Sequence, residues 1–145
     1  APPDEGAELA NGALAVSSSH VEDEASAESR RVLALQLLFE VLLRNRDRFV
    51  ALWPVVQHCC AAALASGSPA AVTEQAVLSL LRLSLRMVHR DGAVSRLLSP
   101  LLAAPHRPLS AGCAEQTGPG LLRLLHGGAA AQVGSDPVLL EALLR

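Results

Sequence analysis

The sequence is poor in several residue types, and each scarcity narrows what the chain can be. It contains no lysine, no tyrosine and only three aromatic residues, Phe39, Phe49 and Trp53. β-branched residues are sparse and rarely alternate with polar ones, so β-strands have little support. Leu and Ala, which favour helices, dominate the apolar half of the composition. We therefore predict an all-α fold.

Cysteines and long apolar runs are also scarce. Three cysteines cannot all pair within one chain, and the neighbours Cys59 and Cys60 point in different directions on a helix. Reduced thiols in the cytosol are the simplest interpretation. No run reaches the ~18–20 apolar residues that cross a bilayer. The sequence begins without a signal-peptide pattern and stops within a helical pattern, so we expect a fragment of a longer protein.

Acidic and basic residues are unevenly distributed. Residues 1–28 hold seven acidic residues and no arginine, whereas residues 29–145 carry a net charge of +5. The arginines are scattered and lack aromatic partners, so we predict no contact with nucleic acid. Residues 1–28 carry only isolated aliphatic side chains and are predicted to be a disordered acidic linker.

Apolar helical runs separated by short breaks fill the predicted helical-repeat core, residues 29–104. Four helices are predicted there, at residues 29–43, 46–65, 69–90 and 93–103. The first two should be antiparallel across the polar segment 45–48, which we call the elbow. Asn45 in this segment either ends one helix in a left-handed cap or caps the next. Residues 105–145 are predicted to be a less regular helical extension, interrupted at Gly118-Pro119-Gly120 and ending in a helix at 138–144.

The two clearest helical patterns predict which side chains face solvent. In the first helix Gln36, Glu40 and Arg44 form one polar stripe that we assign to solvent, with Glu40 and Arg44 as an ion pair. The third helix has a predicted core side, listed as Val77, Leu80, Leu81, Ser84 and Val88. Its predicted outer side consists of Gln75, Ser79, Arg82, Arg86 and Arg90.

This repetition of short helices without coiled-coil heptads predicts antiparallel helix pairs stacked as a HEAT- or armadillo-like α-solenoid fragment. A compact helical bundle is the alternative. Both architectures bury apolar helix faces against neighbouring helices.

Residues that could carry chemistry are few. No His, Cys or Glu spacing fits a metal site, and His58-Cys59-Cys60 fan out around a helix and cannot converge on one ion. We predict no catalytic residue, metal or cofactor, and no enzymatic activity for this chain. The candidate contact residues are Arg82, Arg86 and Arg90, which could touch an acidic partner or acidic lipid headgroups.

The run from Leu37 to Arg48, which reads LLFEVLLRNRDR, and the run EQAVLSLLRLSLR from Glu74 to Arg86 carry a family resemblance. They resemble the helical region downstream of the Sec7 domain in large Arf guanine-nucleotide exchange factors of the Golgi-specific brefeldin-A-resistance type. The resemblance covers residues 30–102. Residues 105–145, with their Gly-rich interruptions, depart from the continuous helices expected of that family.

The resemblance implies a non-catalytic regulatory or scaffold segment in Golgi and early secretory vesicle trafficking. The protein would be cytoplasmic and peripherally associated with those membranes. Its partners would be other regions of the same protein and an Arf GTPase bound through a Sec7 domain, whose catalytic motif this chain lacks. The alternative is a helical module that binds membrane phosphoinositides directly through Arg82, Arg86 and Arg90.

Overall fold

The computed structural model describes the backbone of residues 5–105 and 108–127, and side chains from residue 20 onwards within those ranges. The described residues form helices and no strand, which confirms the all-α prediction. The helices are α1 (Glu5–Arg44), α2 (Phe49–Leu64), α3 (Ala70–Arg86), α4 (Ala93–Ala103) and α5 (Ala111–His126). A short 3-10 turn, Arg46–Arg48, joins α1 to α2. The predicted helix at 138–144 lies outside the described residues.

Helix α3 is the centre of the fold because each of the other four helices packs against it. Leu80, Leu83 and Ser84 on α3 are completely buried. Gln36 of α1 bonds to Gln75 and Glu40 pairs with Arg82, so α1 and α3 run in the same direction. Helix α2 runs in the opposite direction, because its start lies near the end of α3 and its end lies near the start of α3. This agrees with the antiparallel connection that the short elbow predicts.

Helix α1 is much longer than the sequence pattern predicts. It begins at Glu5, so the first half of α1 occupies residues for which composition predicts a disordered linker. Side chains at residues 20–26 are exposed, and the helix there is supported by its continuity with the packed half. Ala and Glu have high helix propensity, and helix extension is much easier than helix nucleation. How the chain divides into domains stays a prediction.

The end of α1 is closed by Asn45. Its side-chain Nδ2 donates a hydrogen bond to the Val41 carbonyl at 2.8 Å, and its backbone N–H donates to the same oxygen at 3.0 Å. Asn45 therefore ends α1, but the left-handed conformation predicted for this role is wrong. It does so with a negative φ of −115° and makes no side-chain cap to the following turn.

Two hydroxyl groups fix the connection from α2 to α3. Ser68 Oγ donates to the Ala62 carbonyl at 2.6 Å, and Thr73 Oγ1 donates to the Ala63 carbonyl at 3.0 Å. Both bonds go to carbonyls in the last turn of α2, where the regular helical hydrogen bonds end. Inside the core Phe49 and Trp53 pack with ring centroids 5.3 Å apart.

The α3 core side is largely as predicted, because Val77, Leu80, Leu81 and Ser84 are all buried. Val88 is partly buried and lies beyond Arg86, where α3 ends earlier than predicted. Ser79, predicted to face outward, is buried and accepts a hydrogen bond from Gln75 Nε2 at 2.9 Å.

The last two helices differ in how well the sequence predicts them. Helix α4 has the predicted bounds, and its N-cap is Gly92, whose φ of 70° suits glycine. Helix α5 continues through Gly118-Pro119-Gly120, the segment predicted to interrupt it. The start of α5 is tied to α3, since Glu74 accepts bonds from Ser110 N at 2.7 Å and Ser110 Oγ at 3.0 Å.

Candidate functional site

The three arginines predicted as contact residues lie on the exposed surface, but they do not form one continuous helical stripe. Arg82 and Arg86 belong to α3, and Arg90 follows in the turn beyond the helix end. Arg82 pairs with a residue of α1, Arg90 bonds to the 3-10 turn, and Arg86 lines a cavity. Their surroundings must therefore be considered one by one.

Arg82 lies beside α1. Its NH1 is 3.8 Å from Glu40 Oε1, with 66% of the arginine side chain and 45% of the glutamate side chain exposed. The sequence pattern predicts that Glu40 pairs with Arg44. In the structure Glu40 instead pairs with Arg82 on the neighbouring helix. An ion pair this exposed is screened by water and contributes little to stability.

Arg90 joins the end of α3 to the elbow. Its NH2 is 2.6 Å from Asp47 Oδ1, and its NH1 donates to the Arg46 carbonyl at 2.8 Å. One guanidinium therefore satisfies both a carboxylate and a backbone acceptor of the 3-10 turn. Arg90 holds the elbow in place, a role that helical periodicity does not reveal.

Arg86 lies at a basic cavity of about 260 Å³ between the elbow and the end of α3. We call it the elbow pocket. It is lined by Arg44, Arg46, Asp47, Arg86, Met87, His89 and Arg90. Arg44 and Arg46 are about forty residues from Arg86 in the chain, so no local sequence pattern connects them.

The side of α1 turned away from the core is apolar. Leu33, Leu37 and Val41 are 54%, 58% and 53% exposed and recur at every fourth residue. We call them the apolar stripe. At 100° per residue they lie opposite the buried Leu35 and Leu42.

The polar stripe of α1 lies between these two sides. Gln36 Nε2 donates to Gln75 Oε1 at 3.1 Å, and Glu40 faces Arg82, so the stripe follows the edge of the contact with α3. Gln36 is exposed as predicted and 45% of the Glu40 side chain is exposed, but both side chains also bond to α3. The apolar stripe beside it is more than half exposed at each of its three residues.

The cysteine pair on α2 divides between core and surface. Burial raises the pKa of the Cys60 thiol to about 12, with a smaller contribution from neighbouring Cys59. Burial likewise raises the pKa of Cys113, against the opposing effect of its Thr117 hydrogen bond. Protonated thiols are poor nucleophiles and poor metal ligands, so these two cysteines contribute packing.

Cys59 has a different environment from Cys60. It lines a groove of about 480 Å³ between α1 and α2, whose wall is mainly aliphatic and includes Leu35, Leu38 and Val72. His58 is exposed. In the part of the chain that the structure describes, no three His, Cys, Asp or Glu side chains come together as metal ligands would.

Known proteins similar to this chain are exchange factors for Arf. It is 33% identical over 82 residues to the ARF guanine-nucleotide exchange factor GNL1 of Arabidopsis thaliana, and 34% identical over 86 residues to the ARF guanine-nucleotide exchange factor GNOM of the same plant. The matches cover 55% and 58% of this chain but only 5% and 6% of those relatives.

No protein-family model matches the chain, and no solved structure matches it. The similarity to GNL1 and GNOM supports a relation to large Arf exchange factors. None of the described helices is both long enough and apolar enough to span a bilayer.

Proposed function

We propose that this chain is a non-catalytic scaffold segment of a large Arf guanine-nucleotide exchange factor, acting through contacts with other regions of the same protein. The apolar stripe carries this proposal. It is an unpaired face of large aliphatic side chains in a chain that corresponds to about a twentieth of its Arabidopsis relatives.

The stripe has the geometry of a helix-packing surface. Leu33, Leu37 and Val41 form an i, i+4, i+8 ridge, which fits the groove of a neighbouring helix. Each side chain is about half exposed, so complete burial would contribute roughly 1 kcal/mol per residue. A further helical segment of the same protein packed there would extend the fold as a HEAT- or armadillo-like α-solenoid.

The remaining parts of the proposal extend the family resemblance of the sequence. Nucleotide exchange on an Arf GTPase belongs to a Sec7 domain elsewhere in the protein. The protein acts in the cytoplasm, peripherally associated with Golgi and early secretory membranes. The present chain supplies packing surface, since its described polar clusters are at the elbow and along the α1–α3 edge.

Release of a fluorescent GDP analogue from an Arf GTPase tests this division of labour. We expect the full-length polypeptide containing this chain to accelerate release, and the 145-residue chain alone to leave the spontaneous rate unchanged. Acceleration by the chain alone would contradict its non-catalytic role. No acceleration by the full-length protein would contradict its assignment as an exchange factor.

Substitution of the stripe tests the contact itself. Leu33→Ser with Leu37→Ser should lower the melting temperature of the full-length protein while changing that of the isolated chain little. Ala51→Ser with Ala61→Ser, at exposed positions on α2, is a control that adds the same hydroxyl groups. Equal effects of the stripe substitutions in the two contexts would argue against the contact.

The second candidate is direct binding to membrane phosphoinositides through Arg82, Arg86 and Arg90. It is favoured by the exposure of all three residues and by the weakness of exposed ion pairs. Charge reversal of the three to Glu should abolish co-sedimentation with phosphoinositide vesicles, whereas Arg96→Glu on α4 should not. Binding that is insensitive to ionic strength would exclude this electrostatic mechanism.

A further inference from the structure

The elbow pocket concentrates positive charge where two helices end. Arg44 closes α1 and Arg86 closes α3, while Arg46 and Asp47 come from the 3-10 turn and His89 and Arg90 from the turn after α3. Four guanidinium groups therefore surround a single carboxylate. That carboxylate, Asp47, is already bonded to Arg90.

The other three arginines have no such partner. Among the described residues, Arg44, Arg46 and Arg86 form no ion pair. Helix C-termini stabilise nearby cations, but each end is equivalent to only about half a negative charge. Two helix ends therefore offset roughly one of the three charges, which leaves an excess of about two.

The shape of the pocket limits what could supply the missing negative charge. At about 260 Å³ it is smaller than the ~300–1,000 Å³ of sites for drug-sized molecules. It is too small for a folded acidic segment and large enough for a phosphorylated headgroup. Guanidinium groups recognise phosphate through paired N–H bonds, and Met87, which is 1% exposed, contributes a fixed apolar surface.

We infer that the elbow pocket binds a phosphate-bearing small anion through Arg44, Arg46 and Arg86. This goes beyond the scaffold function, and it uses two arginines outside the proposed membrane-contact set. The phosphate belongs either to a lipid headgroup or to a soluble metabolite. Bound there, it would join the end of α1 to the end of α3 and stiffen the elbow.

The test uses the 145-residue chain and two probes, inorganic pyrophosphate in solution and phosphatidylcholine vesicles containing phosphatidylinositol 4-phosphate. Saturable binding of pyrophosphate supports the pocket with a soluble ligand. Saturable binding to the vesicles alone supports it with a lipid headgroup. Absence of binding in both arms overturns the inference.

The variant Arg44→Gln with Arg86→Gln removes two phosphate-binding groups and should weaken binding roughly tenfold or more. The matched control is Arg96→Gln with Arg123→Gln, which removes the same charge from exposed positions on α4 and α5. The control should keep its affinity within about twofold if the pocket determines binding. Equal weakening by both variants would indicate diffuse attraction and overturn the inference.

A third variant separates lost binding from lost folding. Asp47→Asn removes the one acidic group of the pocket while keeping an oxygen that can accept from Arg90. The greater positive charge should tighten phosphate binding several-fold at low salt, and a gain in affinity cannot result from misfolding. Unchanged or weaker binding by this variant would contradict a site in the elbow pocket.

Discussion

Two sides of α1 are made of the same kinds of residues and have opposite surroundings. Leu35, Phe39 and Leu42 are 7%, 3% and 1% exposed, whereas Leu33, Leu37 and Val41 are more than half exposed. Hydrophobicity therefore does not determine which side of this helix meets the core. The positions of Gln36 and Glu40 at the edge of the contact with α3 help to determine it.

The largest expected difference is in the free energy of unfolding of the isolated chain, when leucine is replaced by alanine on the buried or on the exposed side of α1. Leu42→Ala should lower the free energy of unfolding by roughly 2–5 kcal/mol, because it leaves a cavity in a closed core. Leu37→Ala should change it by less than about 0.5 kcal/mol. Urea unfolding of both variants measures this, and similar losses for the two would show that the assignment of the sides is wrong.

Helix α2 also places neighbouring side chains in different surroundings, since Cys60 is buried and Cys59 is only partly buried. This contrast should appear in how stability depends on pH. The raised pKa of Cys60 means that only the unfolded chain ionises this thiol as pH rises above the ordinary value of 9.0. The contribution of this thiol to the free energy of unfolding is therefore complete below pH 9 and is lost as pH rises towards 12. The loss is roughly 1 kcal/mol between pH 9 and pH 10.

Unfolding measured across this range should separate the two neighbouring cysteines. Cys60→Ala should remove that part of the alkaline loss, although it also removes core packing at every pH. Cys59→Ala serves as the control and should leave the alkaline loss in place. An unchanged pH profile in Cys60→Ala would mean that the thiol is not protected by burial.

The smallest expected effect concerns the polar edge between the two sides. A double-mutant cycle with Glu40→Gln and Arg82→Gln should give a coupling free energy of about 0.2–1 kcal/mol, which falls with added salt. The neutral pair Gln36 and Gln75 is the internal control, since its hydrogen bond should be insensitive to salt. A salt-independent Glu40–Arg82 coupling would contradict a screened surface pair.

How much the sequence could predict depends on how one-sided each helix is. The bounds of α4 and four of the five predicted core positions of α3 are confirmed, because their apolar residues fall on one side. In α1 nearly every side is apolar, so the only polar stripe was assigned to solvent. The stripe is accessible to solvent in the structure, but Gln36 and Glu40 also bond to α3, which the pattern does not predict.

The candidate sites were harder to predict than the helices. Arg82, Arg86 and Arg90 were identified from their spacing, but Arg90 proves to be a clamp on the elbow. Its partners are more than forty residues away, and Arg44 and Arg46 are about forty residues from Arg86. Such groupings depend on the packing of α1 on α3, which no local pattern specifies.

The central claim is that the apolar stripe is a contact surface for the rest of the protein. Hydroxyl-radical footprinting with mass spectrometry can test it on unmodified side chains, in the isolated chain and in the full-length polypeptide. In the isolated chain Leu37 should be oxidised much faster than Leu42, because only Leu37 is exposed. Exposed His58 on α2 is a reference for radical dose.

In the full-length protein we expect the oxidation rate of Leu37 to fall close to that of Leu42, with Leu33 and Val41 protected in the same way. The difference between the two sides of α1 would then exist only when the chain is separated from its neighbours. Equal oxidation of Leu37 in both forms, after correction with His58, would contradict the claim.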